Sequence, residues 1–348
     1  MANTPATSRE RVLRALHGLD TSPPVTGPLA VHYCARLAGV SLREYTSNAH
    51  TLADCVLRYH ERFHPDAVWL SADTWVTAQA MGAPVTFPDG DQPLGGTGEA
   101  LIQSAADLDR IPPPDVTVQG RWPLMLQALA RIRQALGPDA LLVACFDQYP
   151  FSLACALMGL EQVMVNLRED RALLEALLER CSEYAVAYGI ALAAAGADML
   201  SGGDSPAGLL GPKSYREVAL PFEQRVIAEL KREVNVPVSL HICGNATPIL
   251  GDMARSGASV LELDHQVPIA QAVRIVGPQI AIWGNLDPVR VLAQGSPATV
   301  REGTNDLLRS VASSGCRRFV LSSGCTLAVE TPSSNLDAFF EAARSFQV

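Results

Sequence analysis

Short apolar runs alternate with longer helix-period segments along almost the whole chain, and no other feature constrains the fold as much. Candidate strands fall at residues 25–31, 67–71, 141–146, 198–201, 238–243, 260–264, 280–285 and 319–323. Helical periodicity is clearest over 161–194, 215–233, 249–256, 269–276, 297–313 and 335–346. Eight strands, most of them followed by a helix, predict an α/β protein built as a (β/α)8 TIM barrel rather than an open sheet. Ahead of the first strand, Thr7-Ser8-Arg9-Glu10 has the spacing of a capping box and opens a helix that Gly18 stops. Residues 82–114 break the rhythm. The Pro/Gly/Asp-rich text at 87–93 and 111–114 predicts an excursion with a hairpin, either a cover over the barrel mouth or a surface decoration. No repeat, low-complexity tract or linker divides the chain, so residues 1–348 are expected to form one domain.

Composition narrows the function. Hydrophobic residues make up 48% and charged residues 18%, which suits a filled core rather than disorder. A formal net charge of −9 argues against nucleic-acid partners. The longest weakly polar stretch, 184–200, is interrupted by Gly189 and Gly196, so no membrane span is expected. Met1-Ala2-Asn3-Thr4-Pro5 has neither the basic nor the apolar region of a secretory signal. Eight cysteines scattered without framework spacing predict reduced thiols in a cytoplasm, most of them small core residues.

Two stretches carry the chemistry. Ser239-Leu240-His241-Ile242-Cys243-Gly244 ends an apolar run, and side chains at i and i+2 of a strand point to the same side, so His241 and Cys243 can face one ion. Ser322-Ser323-Gly324-Cys325 ends another run with a third soft ligand. One imidazole and two thiolates form the ligand set of a catalytic zinc site that keeps its fourth position open. The competing reading is a satisfied core histidine beside two buried thiols. In a barrel the C-terminal strand ends line the active site, and here they also bring Asp147, Asp204, Asp264, His265, Asn285 and Asp287. Asp287 precedes Pro288, the pattern of an ordinary helix start.

These stretches, with Trp283-Gly284-Asn285-Leu286-Asp287-Pro288, Gly324-Cys325-Thr326, Thr331-Pro332 and Asn335, resemble the uroporphyrinogen decarboxylase superfamily. The likeness is strongest to its methylcobamide:coenzyme M methyltransferase branch. Asp204-Ser205-Pro206-Ala207-Gly208 leading to Tyr215, and Phe151-Ser152-Leu153-Ala154 with Leu157-Met158-Gly159, agree with it. The resemblance implies a barrel, a zinc ion on His241, Cys243 and Cys325, and a small thiol acceptor such as coenzyme M. It also implies a methyl-corrinoid (cobalamin) donor carried by a separate corrinoid-binding protein. Asp204, Asp264, His265 and Asn285 are then expected to orient ligands, fill the resting metal position or hold the acceptor. His32, Tyr33 and Asp147 are expected to line the mouth where the corrinoid enters, although a packed strand end also explains the first two.

The decarboxylase branch itself fits poorly, because residues 29–37 carry one arginine where a substrate with eight carboxylates calls for several. Other readings are a methyl-corrinoid:tetrahydrofolate methyltransferase, a demethylase component, and a non-enzymatic corrinoid- or metal-binding barrel.

Overall fold

The computed structural model describes residues 6–88, 90–96 and 98–347. The N-terminal stretch Met1–Pro5, with its expected lack of a secretory signal, and Asp89 of the excursion lie outside these residues. Nine strands are present among the described residues: β1 Ala67–Leu70, β2 Val85–Thr86, β3 Leu94–Gly95, β4 Leu141–Gln148, β5 Met199–Gly203, β6 Ser239–Ile242, β7 Val260–Leu263, β8 Ala281–Leu286 and β9 Phe319–Ser323. Seven of them form one parallel sheet in the order β1-β4-β5-β6-β7-β8-β9, with helices in the crossovers. The predicted hairpin exists as the antiparallel pair β2–β3 within the excursion.

The expected first strand at 25–31 is not a strand. Thr26 makes a single parallel bridge to Leu321 of β9. On that side Gly27 N–H donates to Leu321 O (2.9 Å), and Leu321 N–H donates to Val25 O (3.0 Å). Toward β1, Ala67 N–H donates to Thr26 O (3.0 Å), while the N–H of Thr26 goes to the Asp66 carboxylate (2.9 Å). Pro28 has no N–H to continue a ladder, and the helix His32–Ala38 begins four residues later. Three of the predicted helices are also shorter or broken. Residues 161–194 divide into Leu160–Asn166 and Arg171–Ala194, because Asp170 accepts from Leu173 N–H and starts a new helix. Residues 215–233 divide into Pro212–Val218 and Leu220–Glu233, with Pro221 at the second start. Residues 249–256 keep only Leu250–Met253 as helix. Helices Ile269–Val276 and Pro297–Ser313 match their predicted bounds. The capping box on Thr7 and Glu10 is formed.

Strand alternation separates two cores. Leu142, Ala144, Leu200, Leu240, Ile242, Leu261, Leu263 and Leu321 pack outward with the helices. The other face carries Leu141, Val143, Met199, Val260, Ala281, Trp283 and Val320, closed at the N-terminal end by Val12, Ala15 and Leu16 of the first helix. Gly27 lies in this layer. Its carbonyl accepts from Trp69 Nε1 (3.2 Å), Trp283 Nε1 (2.8 Å) and Ser322 Oγ (2.9 Å). A Cβ there would stand 2.3 Å from the Trp283 ring, so no larger residue fits. One step further along the strands, the same face turns polar, with Ser201, Ser239, His241, Glu262 and Ser322.

Candidate metal centre

The polar end of that inner face gathers the three soft ligands. His241 lies on β6 and Cys243 just past its end, so the two-residue repeat of a strand turns both inward while Leu240 and Ile242 face the helices. Cys325 arrives from the end of β9. His241 Nε2 is 3.0 Å from Cys243 Sγ, Cys243 Sγ is 3.5 Å from Cys325 Sγ, and the three ligand atoms lie within 4.8 Å of one another. The other ring nitrogen, Nδ1, is 3.0 Å from the carbonyl of Glu262, which orients the imidazole with Nε2 toward the thiols.

The trio fits a thiophilic divalent ion. Tetrahedral bonds of about 2.3 Å to sulfur and about 2.0–2.1 Å to nitrogen hold such donors roughly 3.5–3.8 Å apart, close to the spacing seen. With protons alone in the site, the groups are strongly coupled. Burial pulls the His241 imidazole down, but the hydrogen bond and charge of Cys325 outweigh it and push it up to about 9. The hydrogen bond from Cys325 pulls Cys243 down, and the same contact pushes Cys325 up to about 12. A cation bound here replaces those protons.

Glu262 does not stand out by motif. It is 2% exposed on β7, paired in register with His241, and its carboxylate accepts from Ser201 Oγ (2.9 Å) and from Ser239 Oγ. Burial raises its pKa, and the two hydroxyls offset part of the desolvation cost. The available signal is a charged residue in the middle of Val260-Leu261-Glu262-Leu263, because a lone Glu in an apolar strand must find buried partners.

The other residues fall into distinct places. Asp264 Oδ2 accepts Gly244 N–H and its Oδ1 accepts Gln266 N–H, both at 2.9 Å, so it ties the loop after Cys243 to the end of β7. Asn285 donates to Asp264 O (3.0 Å) and Val267 O (2.8 Å), holding the same turn. His265 bridges two carboxylates, with Nδ1 3.0 Å from Asp264 and Nε2 3.4 Å from Asp287. Asp287 also caps the helix Pro288–Ala293, the role its Asp-Pro sequence announces. Asp204 is fully buried and makes no contact with the trio's ligand atoms. Its Oδ1 accepts Ser152 N–H (2.7 Å) and O–H (2.6 Å). Burial raises the pKa of both Asp204 and Glu223, whose carboxyl accepts from the Tyr215 hydroxyl. Asp204 still touches the site through its backbone, donating N–H to His241 O (2.8 Å), while Ser205 Oγ accepts Cys243 N–H (3.4 Å).

The three residues expected to line the mouth are engaged within the fold, and Tyr33 belongs to the helical core. His32 Nε2 is 2.7 Å from Ala72 O, and burial lowers its pKa. Tyr33 is buried against Tyr59 and Phe63, with its hydroxyl 2.9 Å from Ser333 Oγ. Asp147, at φ 78° where β4 breaks register, accepts Thr77 N–H at 2.9 Å, and burial pushes it up to about 8.

A parallel α/β fold with an imidazole and two thiols at its C-terminal strand ends defines a class of metal-competent proteins. A model of the Uroporphyrinogen decarboxylase (URO-D) family matches residues 7–346, and the chain belongs to that family. A protein of Methanosarcina acetivorans named methylcobamide:CoM methyltransferase MtbA is 30% identical over 354 residues, covering 99% of each chain. A uroporphyrinogen decarboxylase of Xanthomonas axonopodis pv. citri is 29% identical over 86% of this chain and 87% of its own. Among solved structures, a methyltransferase from Methanosarcina mazei aligns with a TM-score of 0.88 at 27% identity, over 97% of this chain and 98% of that one.

Proposed function

We propose that this protein is a methyltransferase that moves a methyl group from a methyl-corrinoid, presented by a partner corrinoid protein, to a small thiol. The observation that carries the reading is the convergence of His241, Cys243 and Cys325 from two strands onto one point at the C-terminal end of the sheet. The full-length likeness to the methylcobamide:CoM methyltransferase supports the reaction type. In this reading the architecture is a single-domain (β/α)8 barrel, with Val25–Gly27 standing as its eighth stave between β9 and β1.

His241, Cys243 and Cys325 would hold zinc. The bound ion stabilises the thiolate form of an acceptor that is mostly protonated when free, since a thiol pKa is about 8.5. Glu262 O fixes the tautomer and aim of His241, and Ser205 and Asp264 fix the backbone on either side of Cys243. The chain's remaining task is to hold sulfur and methyl carbon about 3–3.5 Å apart in line and to exclude water. No side chain has to deliver a proton to the transferred carbon. Asp264, His265 and Asn285 set the shape of the loop that faces the acceptor. All eight cysteines are free thiols, and among the described residues no helix is long and apolar enough to cross a membrane. Both suit the cytoplasmic setting the reading assumes.

The test is incubation of zinc-loaded protein with methylcobalamin and a thiol panel. The methyl–cobalt absorbance is expected to fall as the methyl thioether appears by mass. Retention of the absorbance with every thiol would remove the reading.

A further inference from the structure

We infer that the end of the sheet opposite the thiols holds a second binding site, which takes a small organic anion with an apolar body. This site lies outside the methyl-transfer reading and does not rest on it.

Two clefts adjoin where β8 and β9 begin. Phe319 there and Cys325 at the mouth are roughly 20 Å apart along an extended chain. One cleft has a volume of about 600 Å³ and is lined by His17, Arg274, Arg317 and Arg318, with no acidic side chain among its described lining residues. The other, of about 440 Å³, has Gly18, Cys316 and Arg317 in common with the first. Its wall is mainly apolar, from Leu19, Leu308, Val311, Phe319 and Phe346, and Asp20 is the one acid on it among the described residues.

The cations here are largely uncommitted. Arg274 and Arg317 are exposed and make no hydrogen bond or ion pair with any described residue. Arg318 is tethered by Nη1, which donates to Leu16 O (2.9 Å), and the rest of its fork stays open. A Cβ on Gly18, at φ 72°, would stand 3.3 Å from Cγ of Arg318 and 3.5 Å from Cβ of Arg317, so both stems lie against the turn that ends the first helix. Asp20 is turned to its own loop, where its carboxylate accepts Ser22 N–H (3.2 Å). The ordinary reason for cations at such a place is helix dipoles. The helices Ser8–Leu16, Ile269–Val276 and Pro297–Ser313 all end at the cationic cleft. Each end carries about −0.5 of a charge, so roughly −1.5 faces about +3 from the three guanidiniums, and positive charge is left over. On a chain of net charge −9, that local surplus has no acidic partner in the cleft.

A guanidinium fork pairs an oxyanion through two parallel hydrogen bonds, which sets the head group as a carboxylate or phosphate. The adjoining wall sets the rest. Leu19 is 53% exposed, and Phe319 and Phe346 are half-buried, so they present surface that an inorganic ion leaves wet and a hydrocarbon covers. The ligand class is therefore an amphipathic carboxylate or phosphate ester, its head on Arg274 and Arg317 and its hydrocarbon on the wall behind Arg317.

The experiment titrates the zinc-loaded full chain calorimetrically with octanoate, octyl phosphate, inorganic phosphate and 1-octanol. The two amphipathic probes are expected to bind at least about tenfold more tightly than phosphate, which lacks the tail, or octanol, which lacks the charge. Arg274→Ala and Arg317→Ala, each at an exposed and unpartnered position, should keep the parent unfolding midpoint and weaken the better probe about tenfold or more. Leu19→Ser should narrow its advantage over phosphate about threefold or more. Amphipathic binding untouched by both arginine replacements lies elsewhere, the metal centre included, and overturns the site. Inorganic phosphate binding as tightly as octyl phosphate overturns the amphipathic class, and no heat with either octyl anion overturns the proposal whole. All three outcomes leave the methyl-transfer reading where it stands, since its own test reads the methyl–cobalt absorbance.

Discussion

A Cβ placed on Gly324 would stand 2.4 Å from the backbone nitrogen of His265. The chain bearing Cys325 therefore runs directly against the turn that Asp264 and Asn285 hold, and the thiol of β9 is located by the end of β7 rather than by its own loop. Backbone cannot retreat as a flexible side chain does. Gly324→Ala is expected to shift Cys325 away from His241 and Cys243, lowering zinc retention at least about tenfold with the fold kept. Metal content after dialysis, with circular dichroism as the folding control, checks this. Full occupancy would mean that the contact does not locate the thiol.

Cys243→Ala and Cys325→Ala should each abolish stoichiometric zinc binding while leaving thermal unfolding near that of the metal-free parent. The apolar layers that hold the sheet are built from side chains other than the three ligands. Elemental analysis should read about one zinc per chain in the parent, as a single three-ligand site requires, and close to none in either variant. A variant that kept its zinc would exclude that cysteine as a ligand.

Asp147 makes stability depend on pH with a definite sign. Its carboxyl ionises at about 3.9 when unfolded, whereas burial pushes it up to about 8 in the fold. The folded state thus holds the extra proton between those values, and stability falls as pH rises through that window by at most about 1.4 kcal/mol per unit. Asp147→Asn keeps an oxygen for the Thr77 N–H and removes the ionisation. Urea unfolding at pH 4, 6 and 8 should show the variant gaining on the parent as pH rises, with no advantage at pH 4. Parallel pH profiles for the two proteins would refute the assignment.

Arg121 and Asp73 form a buried pair, 7% and 1% exposed. The same guanidinium donates to Gln79 Oε1 (2.7 Å) and Thr46 O (3.1 Å), and it lies 5.0 Å from the centre of the Phe87 ring. It therefore anchors the β2–β3 excursion to the edge of the sheet. Arg121→Ala leaves Asp73 buried and uncompensated, a loss of about 3–5 kcal/mol. The predicted signs are a lower unfolding midpoint and faster proteolysis between Phe87 and Leu94. An unchanged midpoint would show that water or rearrangement satisfies Asp73.

The sequence alone determined the parallel α/β class and the convergence of ligands, because both rest on local periodicity. Side chains two apart in a strand share a face, so spacing by itself pairs His241 with Cys243. A third ligand at another strand end can meet them only if the sheet curls, which the alternation of strands and helices implies. Asp287 before Pro288 likewise announces its cap, since that signal is contained within three residues. What only the tertiary structure decided depends on contacts between distant segments. Pro28 and the Asp66 carboxylate reduce the expected first strand to one bridge, and Asp66 lies 40 residues from the Thr26 it holds. Glu262 becomes part of the site because Ser201 and Ser239, on two other strands, supply the hydroxyls that let a carboxylate stay buried. Asp204, at a strand end like the other acids, turns away to the N–H and hydroxyl of Ser152 on a helix behind the sheet. Strand position sets which residues reach the mouth, but a buried carboxylate goes where its desolvation is best compensated, and that is a property of the packed fold.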